Sequence, residues 1–260
     1  MKAKTELFLY RLLWLADKPM RPTYRNIEES FEGWAYRNGL LSQIDRLEAQ
    51  GFLECREDPG TGERLHRLTE AGRRAAIGGR DPEESWKLKW DGKWRLFLFD
   101  IPESERSRRR KLTRALAAAR CGCLQGSVWI SAVAPPELEG LIAEEDEECG
   151  KLLLLLGDSK GRRVDRRMVE TAWNFDVIND YYRALEIVLD GFSEVANAGT
   201  RERLDRWTAE ERVAWQTVLA ADPLLPRELL PITYLGRKVW KRRKKILADA
   251  ARLSASLSAE

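Results

Sequence analysis

The chemistry open to this chain is set by a few side chains. A single histidine, His66, stands among 260 residues, which excludes a Ser-His-Asp triad built elsewhere and any multi-histidine metal site. Four cysteines, Cys55, Cys121, Cys123 and Cys149, do not make a disulfide framework at this length. Cys121-Gly122-Cys123 has C-x-C spacing but no partnering His or Cys cluster, and cysteines beside a strand commonly fill a core. Asp100 closes the apolar run Trp94–Phe99. One carboxylate at a strand end is a poor Mg²⁺ site unless a second subunit supplies another; its structural alternatives are a helix cap or a pair with Arg106 or Arg109. Two basic stretches bear on anion binding. Arg162, Arg163, Arg166 and Arg167 fall within six positions, in what reads as a loop, and such a run either grips phosphates or lies solvated. Seven of the nine residues in RKVWKRRKK, 237–245, are basic.

Composition bounds what these groups can serve. Charged residues make up 33% of the chain, yet 45 basic against 42 acidic residues leave a net charge of only +3. A histone-like polycation is therefore excluded, and anion binding must come from local patches. Hydrophobic residues at 43%, with ten Trp, suffice for packed cores. The apolar run Leu152–Leu156 is far short of the ~18 residues of a membrane span. Arg11 interrupts the apolar start, and no small-residue cleavage site follows it. The expectation is a cytoplasmic protein in a reducing compartment, with no membrane partner and no resident cofactor or metal.

The elements that must position these residues fall into three blocks. The first, 1–79, ends in the breaker cluster Gly78-Gly79-Arg80-Asp81-Pro82. Leu7–Leu15 and Thr23–Phe31 read as helices. In RNGLLSQIDRLEAQGFL, Leu40, Ile44 and Leu47 share one helical face, and Gly51 follows as a stop. The period then changes. Phe52–Glu57 suits a strand, Asp58–Gly62 a turn and Arg64–Leu68 a return strand, before Thr69 opens another helix. Three helices, a hairpin and a helix give the order of a winged helix-turn-helix, whose third helix enters the major groove of double-stranded DNA. The inward set leaves Asn38, Ser42, Asp45 and Arg46 outward, with Asn and Arg suited to adenine and guanine edges. Tyr36, Arg37, Arg64 and Arg67 are candidate phosphate contacts. Winged helices also serve as protein-interaction modules, and that reading stands beside DNA binding.

The second block, 86–157, alternates strand and helix. Trp94–Phe99 is a strand, Ser104 a cap for an arginine-rich helix, Val128–Ile130 a strand, the stretch after Pro135-Pro136 through Glu148 an acidic helix and Lys151–Leu156 a strand. This β-α-β-α-β order predicts a ferredoxin-like (split βαβ) sheet. The third block, 168–260, is mainly helical: one pattern from Trp173 to Ala198, another from Leu204 to Ala220, a Pro-punctuated turn over Asp222–Pro231 and a basic final helix. Its Ile246, Ala250, Leu253 and Leu257 are spaced as a core stripe or a dimer seam. The fold class expected is α+β.

Two resemblances follow. Asp100, the arginine-rich helix after it and Gln125-Gly126-Ser127-Val128-Trp129 are similar to the small CRISPR-associated ferredoxin-like subunit described as a metal-dependent nuclease. That resemblance makes Asp100 a metal ligand and the chain an enzyme, the alternative to a regulator. The whole chain resembles the PaaX-like transcriptional regulators, named for the phenylacetate-degradation repressor. The passages that carry it are IDRLEAQGFLECREDPGTGERLHRLTEAGR, WDGKWRLFLFDIPESERSRRRKLTRALAAARCGCLQGSVWIS and DPLLPRELLPITYLG. The resemblance implies a non-enzymatic, homodimeric repressor released from operator DNA by an aryl-CoA thioester such as phenylacetyl-CoA, or by another acyl-CoA. Arg162, Arg163, Arg166 and Arg167, or the Lys241–Lys245 cluster, are candidates for the CoA phosphates, and Trp129, Trp173 or Tyr182 for the acyl group.

Overall fold

A computed structural model describes residues 41–57, 64–76, 79–135, 138 and 151–257 of the chain. The elements in order are α1 (Leu41–Ala49), β1 (Leu53–Glu57), β2 (Arg64–Leu68), α2 (Glu70–Ala76), α3 (Pro82–Lys87), β3 (Lys93–Asp100) and α4 (Arg106–Ala118). They continue with β4 (Gly122–Gln125), β5 (Val128–Ser131), β6 (Lys151–Asp158), α5 (Arg162–Ala172), α6 (Phe175–Asp190), α7 (Phe192–Ala198), α8 (Arg201–Ala221) and α9 (Gly236–Ser256). The class is α+β. The chain divides into two units. One comprises Met1–Asp81, Ala184–Gln216 and Arg237–Glu260; the other comprises Pro82–Arg183 and Thr217–Gly236.

In the first unit, Ile44 and Leu47 stand about one turn apart on α1 and are buried, as are Leu53 and Leu68 of the hairpin. The helix ends as Gly51 and Phe52 donate their amides to the carbonyls of Glu48 and Leu47, both at 2.8 Å. This closure needs a left-handed residue, and Gly51 supplies it with φ +70°. The chain then enters β1, which pairs antiparallel with β2 from Leu53↔Leu68 to Glu57↔Arg64. Thr69 joins the two helices. Its hydroxyl donates to the Gly51 carbonyl at 2.6 Å and accepts the Gly72 amide at 3.0 Å, capping α2. Gly72 leaves no room for a side chain, because a Cβ there would lie 2.0 Å from the Phe52 carbonyl oxygen. The helix, hairpin and helix that close the expected winged helix are thus present. Its first two helices, within 1–40, and its turn at 58–62 lie outside the described residues.

The same unit buries an ion pair. Arg243 Nε donates to Glu211 Oε1 at 2.6 Å, with both side chains buried. The guanidinium lies 4.3 Å over the ring of Trp215, which stacks on Trp240 at 4.9 Å. The single helix expected from Trp173 to Ala198 is instead two, α6 and α7, separated at Gly191. Trp173 is extended at the end of α5, Asn174 Oδ1 accepts the Val177 amide at the start of α6, and Gly191 is a poor helix former.

The second unit holds a four-stranded sheet in the order β4-β5-β3-β6, with each neighbouring pair antiparallel. β3 and β4 therefore run parallel with β5 inserted between them, which is the split βαβ arrangement. The sequence reading gave three strands and missed β4, because Gly122–Gln125 is short and its pairing with β5 carries a register shift. Phe97, Phe99, Ile101, Leu112, Leu116 and Cys121 form the core between one sheet face and α4. Ser104 does not cap α4: it sits in a short 3₁₀ turn, Glu103–Glu105, and the helix begins at Arg106 without a side-chain cap. The expected acidic helix falls in 136–150, where only residue 138 is described. Arg95, in β3, donates to both carboxylate oxygens of Asp91, just before the strand, at 2.9 and 2.6 Å. Those hydrogen bonds hold the Asp91 carboxyl below its ordinary range.

Two expectations follow. Gly72→Ala is expected to destabilise the protein by about 1–3 kcal/mol, read from chemical denaturation, because the Phe52 backbone must move to admit the methyl group. The Tyr234 hydroxyl is pushed far above its ordinary 10.0 by burial, and then by the Asp222 carboxylate and Tyr182. The folded state therefore keeps a proton that the unfolded chain sheds above pH 10. Stability should be indifferent to this group below that pH and fall above it, and Tyr234→Phe should remove that part of the slope.

Candidate nucleic-acid interface and effector residues

α1 has two faces. Ile44 and Leu47 are buried, while Ser42, Asp45 and Arg46 are exposed. Ser42 Oγ donates to Gln43 Oε1 at 3.2 Å, a weak exposed contact that leaves the hydroxyl at the surface. Along the hairpin, alternation sends Leu53, Cys55, His66 and Leu68 to the α1 side and Glu54, Arg56 and Arg67 to the other. Arg67 and Arg56 flank Glu54 at 3.8 and 3.6 Å, with 61% and 73% of their side chains exposed. Such exposed pairs contribute little, so a phosphate can displace the carboxylate. The sequence reading did not include Arg56, although the strand's two-residue period points to it. Arg64 faces Glu57 in the register. Tyr36, Arg37 and Asn38 lie outside the described residues.

The arginine run of 162–167 is the first part of α5, not a loop. Gly161, at φ +100°, makes the turn that starts the helix. Asp165 fixes which way α5 faces: its carboxylate is buried and accepts Trp94 Nε1 at 2.9 Å and Ser159 Oγ at 2.5 Å. With Asp165 and Val169 inward, Arg162, Arg163, Arg166 and Arg167 are exposed. At about 100° per residue they occupy a single arc of roughly 140°. Arg166 also pairs with Glu170 at 2.8 Å.

The three candidate aromatic residues are not gathered in one place. Trp129 pairs in register with Cys123 and packs against the Phe97 core. Trp173 lies against Gly122, where a Cβ would come within 2.6 Å of its ring. Gly122 and Cys123 are successive residues of β4, so Trp129 and Trp173 occupy opposite faces of the sheet. Tyr182 is buried and donates to Asp222 Oδ2 at 2.5 Å.

The basic start of α9 also divides. Arg243 belongs to the core, which its position in a cationic run concealed. Arg242 is bound to Asp190 and Glu186, and Lys238 also lies near Glu186. Lys241, Lys244 and Lys245 are exposed. Asp100 is exposed at the end of β3, opposite Lys151 in the register. It belongs to no cluster of three metal-ligating side chains among the described residues.

Comparison with known proteins finds a family match that falls within the second unit. Residues 87–169 match the family model described as the PaaX protein central Cas2-like domain. Among solved structures, the chain is similar to one described as uncharacterized protein Rv0674 from Mycobacterium tuberculosis. The two share 18% identity over 96% of this chain and 97% of that one, with a TM-score of 0.47. No curated protein matches.

The division of α9 has a measurable consequence. Arg243→Met leaves Glu211 buried without its partner and is expected to cost about 3–5 kcal/mol in chemical denaturation. Lys241→Ala and Lys245→Ala should each change stability by no more than about 0.5 kcal/mol.

Proposed function

We propose that this chain, PaaX-like in its central domain over residues 87–169, is a DNA-binding transcriptional regulator: a dimeric repressor released from its operator by an aryl-CoA thioester such as phenylacetyl-CoA. The observation that carries the proposal is the presence of that domain in one chain with a helix–hairpin–helix module whose outward face bears Ser42, Arg46, Arg56 and Arg67. In this reading α1, with Asn38 before it, lies in the major groove. Arg46 contacts a base edge, and the hairpin arginines meet phosphates alongside Tyr36, Arg37 and Arg64.

Pairing of two copies fits β6. Among the described residues it is an edge strand of the sheet, and Leu153, Leu154, Leu155 and Leu156 are all exposed along it. An apolar edge of this kind invites a second chain. The α5 arc gives CoA phosphates four guanidinium groups, and Trp173, which follows the last residue of that helix, is the aromatic candidate for the acyl group. The thioester must bind the DNA-free state more tightly than the bound one for release to follow. Among the described residues no helix is long and apolar enough to cross a membrane.

Fluorescence anisotropy on DNA from upstream of the protein's own gene tests this reading. Binding should weaken linearly on a log–log salt plot, and one aryl-CoA should relieve it. Arg46→Ala is expected to cost about 1–3 kcal/mol and relax sequence preference, whereas Arg67→Ala should weaken all sequences alike and lower the salt slope by about one. Arg163→Ala with Arg167→Ala should blunt the thioester response and leave DNA affinity intact. Thioester binding without any change in DNA affinity refutes the coupling. DNA should remain whole with Mg²⁺ or Mn²⁺; cleavage lost in Asp100→Asn would establish the nuclease instead.

A further inference from the structure

The hairpin and α1 bring together three side chains that the DNA-binding reading does not use. Glu48 comes from the last turn of α1, Cys55 from β1 and His66 from β2, and one ligand atom of each lies within 4.8 Å of the others. The backbone fixes this meeting. Cys55 and His66 are directly opposed in the β1–β2 register, on the face turned toward α1. Glu48 is held by the helix closure that its own carbonyl makes with Gly51. His66 Nε2 stands 3.6 Å from Glu48 Oε1. Two donors at ~2.0–2.1 Å from one tetrahedral zinc stand about 3.3–3.4 Å apart, so a small side-chain rotation closes the difference.

We propose that Glu48, Cys55 and His66 form a zinc site that ties the hairpin to α1. A thiolate, an imidazole and a carboxylate together suit Zn²⁺ better than Mg²⁺ or Ca²⁺, which take oxygen ligands. The three protein donors leave the fourth position to water. Binding sends the Cys55 thiol proton to solvent, along with the imidazole proton where His66 is charged. The ion stabilises the folded state because the unfolded chain does not hold the three ligands together.

The test uses full-length, chelator-stripped protein titrated with Co²⁺ and then Zn²⁺. About one Co²⁺ per chain should bind, with a sulfur-to-metal charge-transfer band that Zn²⁺ abolishes, and Zn²⁺ should raise the thermal unfolding midpoint. Cys55→Ser should lose the band, the midpoint shift and at least about tenfold in affinity, and His66→Gln should weaken binding similarly. Cys121→Ser with Cys123→Ser should leave all three readouts unchanged. Far-UV circular dichroism of each variant confirms that it is folded. Absence of Co²⁺ uptake overturns the proposal, as does a band that survives Cys55→Ser or disappears with the C-x-C cysteines. No nucleic acid is involved, so the outcome is independent of the regulator reading.

Discussion

Asp222 is a fully buried carboxylate, and the second unit is organised around satisfying it. A charge taken out of water must be met by hydrogen bonds or it is ruinous. Here Tyr182 of α6 and Tyr234 each donate to Oδ2 at 2.5 Å, and the Leu224 amide donates to Oδ1 at 2.7 Å. Asn179 completes the lock one turn before Tyr182, donating to the Thr233 carbonyl and accepting the Leu235 amide. Gly236 follows because a Cβ there would fall 2.2 Å and 2.6 Å from the Tyr234 and Tyr182 hydroxyls. The passage DPLLPRELLPITYLG thus reads as one device. Its aspartate anchors, its prolines stiffen the path, and its tyrosine and glycine return the chain to the same point.

The large but balanced charge content is put to three uses. Arg243 and Glu211 are buried together beneath two tryptophans, an arrangement whose value lies in fixing α8 and α9 as much as in net stability. Asp91–Arg95 and Trp94–Asp165 fasten a turn and a helix to the sheet. Further cations lie in patches on α5, α9 and the hairpin, where water screens them. A net charge near zero is therefore compatible with strong local anion binding.

Features with local causes were legible in the sequence. Gly51 marks the end of α1 because that helix closure needs a left-handed residue. The two-residue period of 53–57 and 64–68 gave the hairpin, and the β-α-β rhythm with an apolar first strand gave the central sheet. Features decided by distant partners were not. β4 is four residues long and gains its identity from pairing with β5. The start of α5 looked like a loop until Asp165 met Trp94 across 71 positions. Arg243 could not be told from its cationic neighbours because Glu211 lies 32 residues away. The aromatic candidates divide for a related reason: composition counts tryptophans, but the pleat decides which face of the sheet each one occupies. A lone histidine in the sequence excludes multi-histidine sites, and only the β1–β2 register sets His66 opposite Cys55.

The proposed regulator depends on α1 and its hairpin reading double-stranded DNA. Repeated selection of bound duplexes from a random-sequence pool tests it most directly. Enrichment of one inverted repeat is expected, with half-sites about one helical turn, or a multiple of it, apart. A pool that stays random through successive rounds, with binding indifferent to salt, would contradict it and leave the module as a protein-interaction surface.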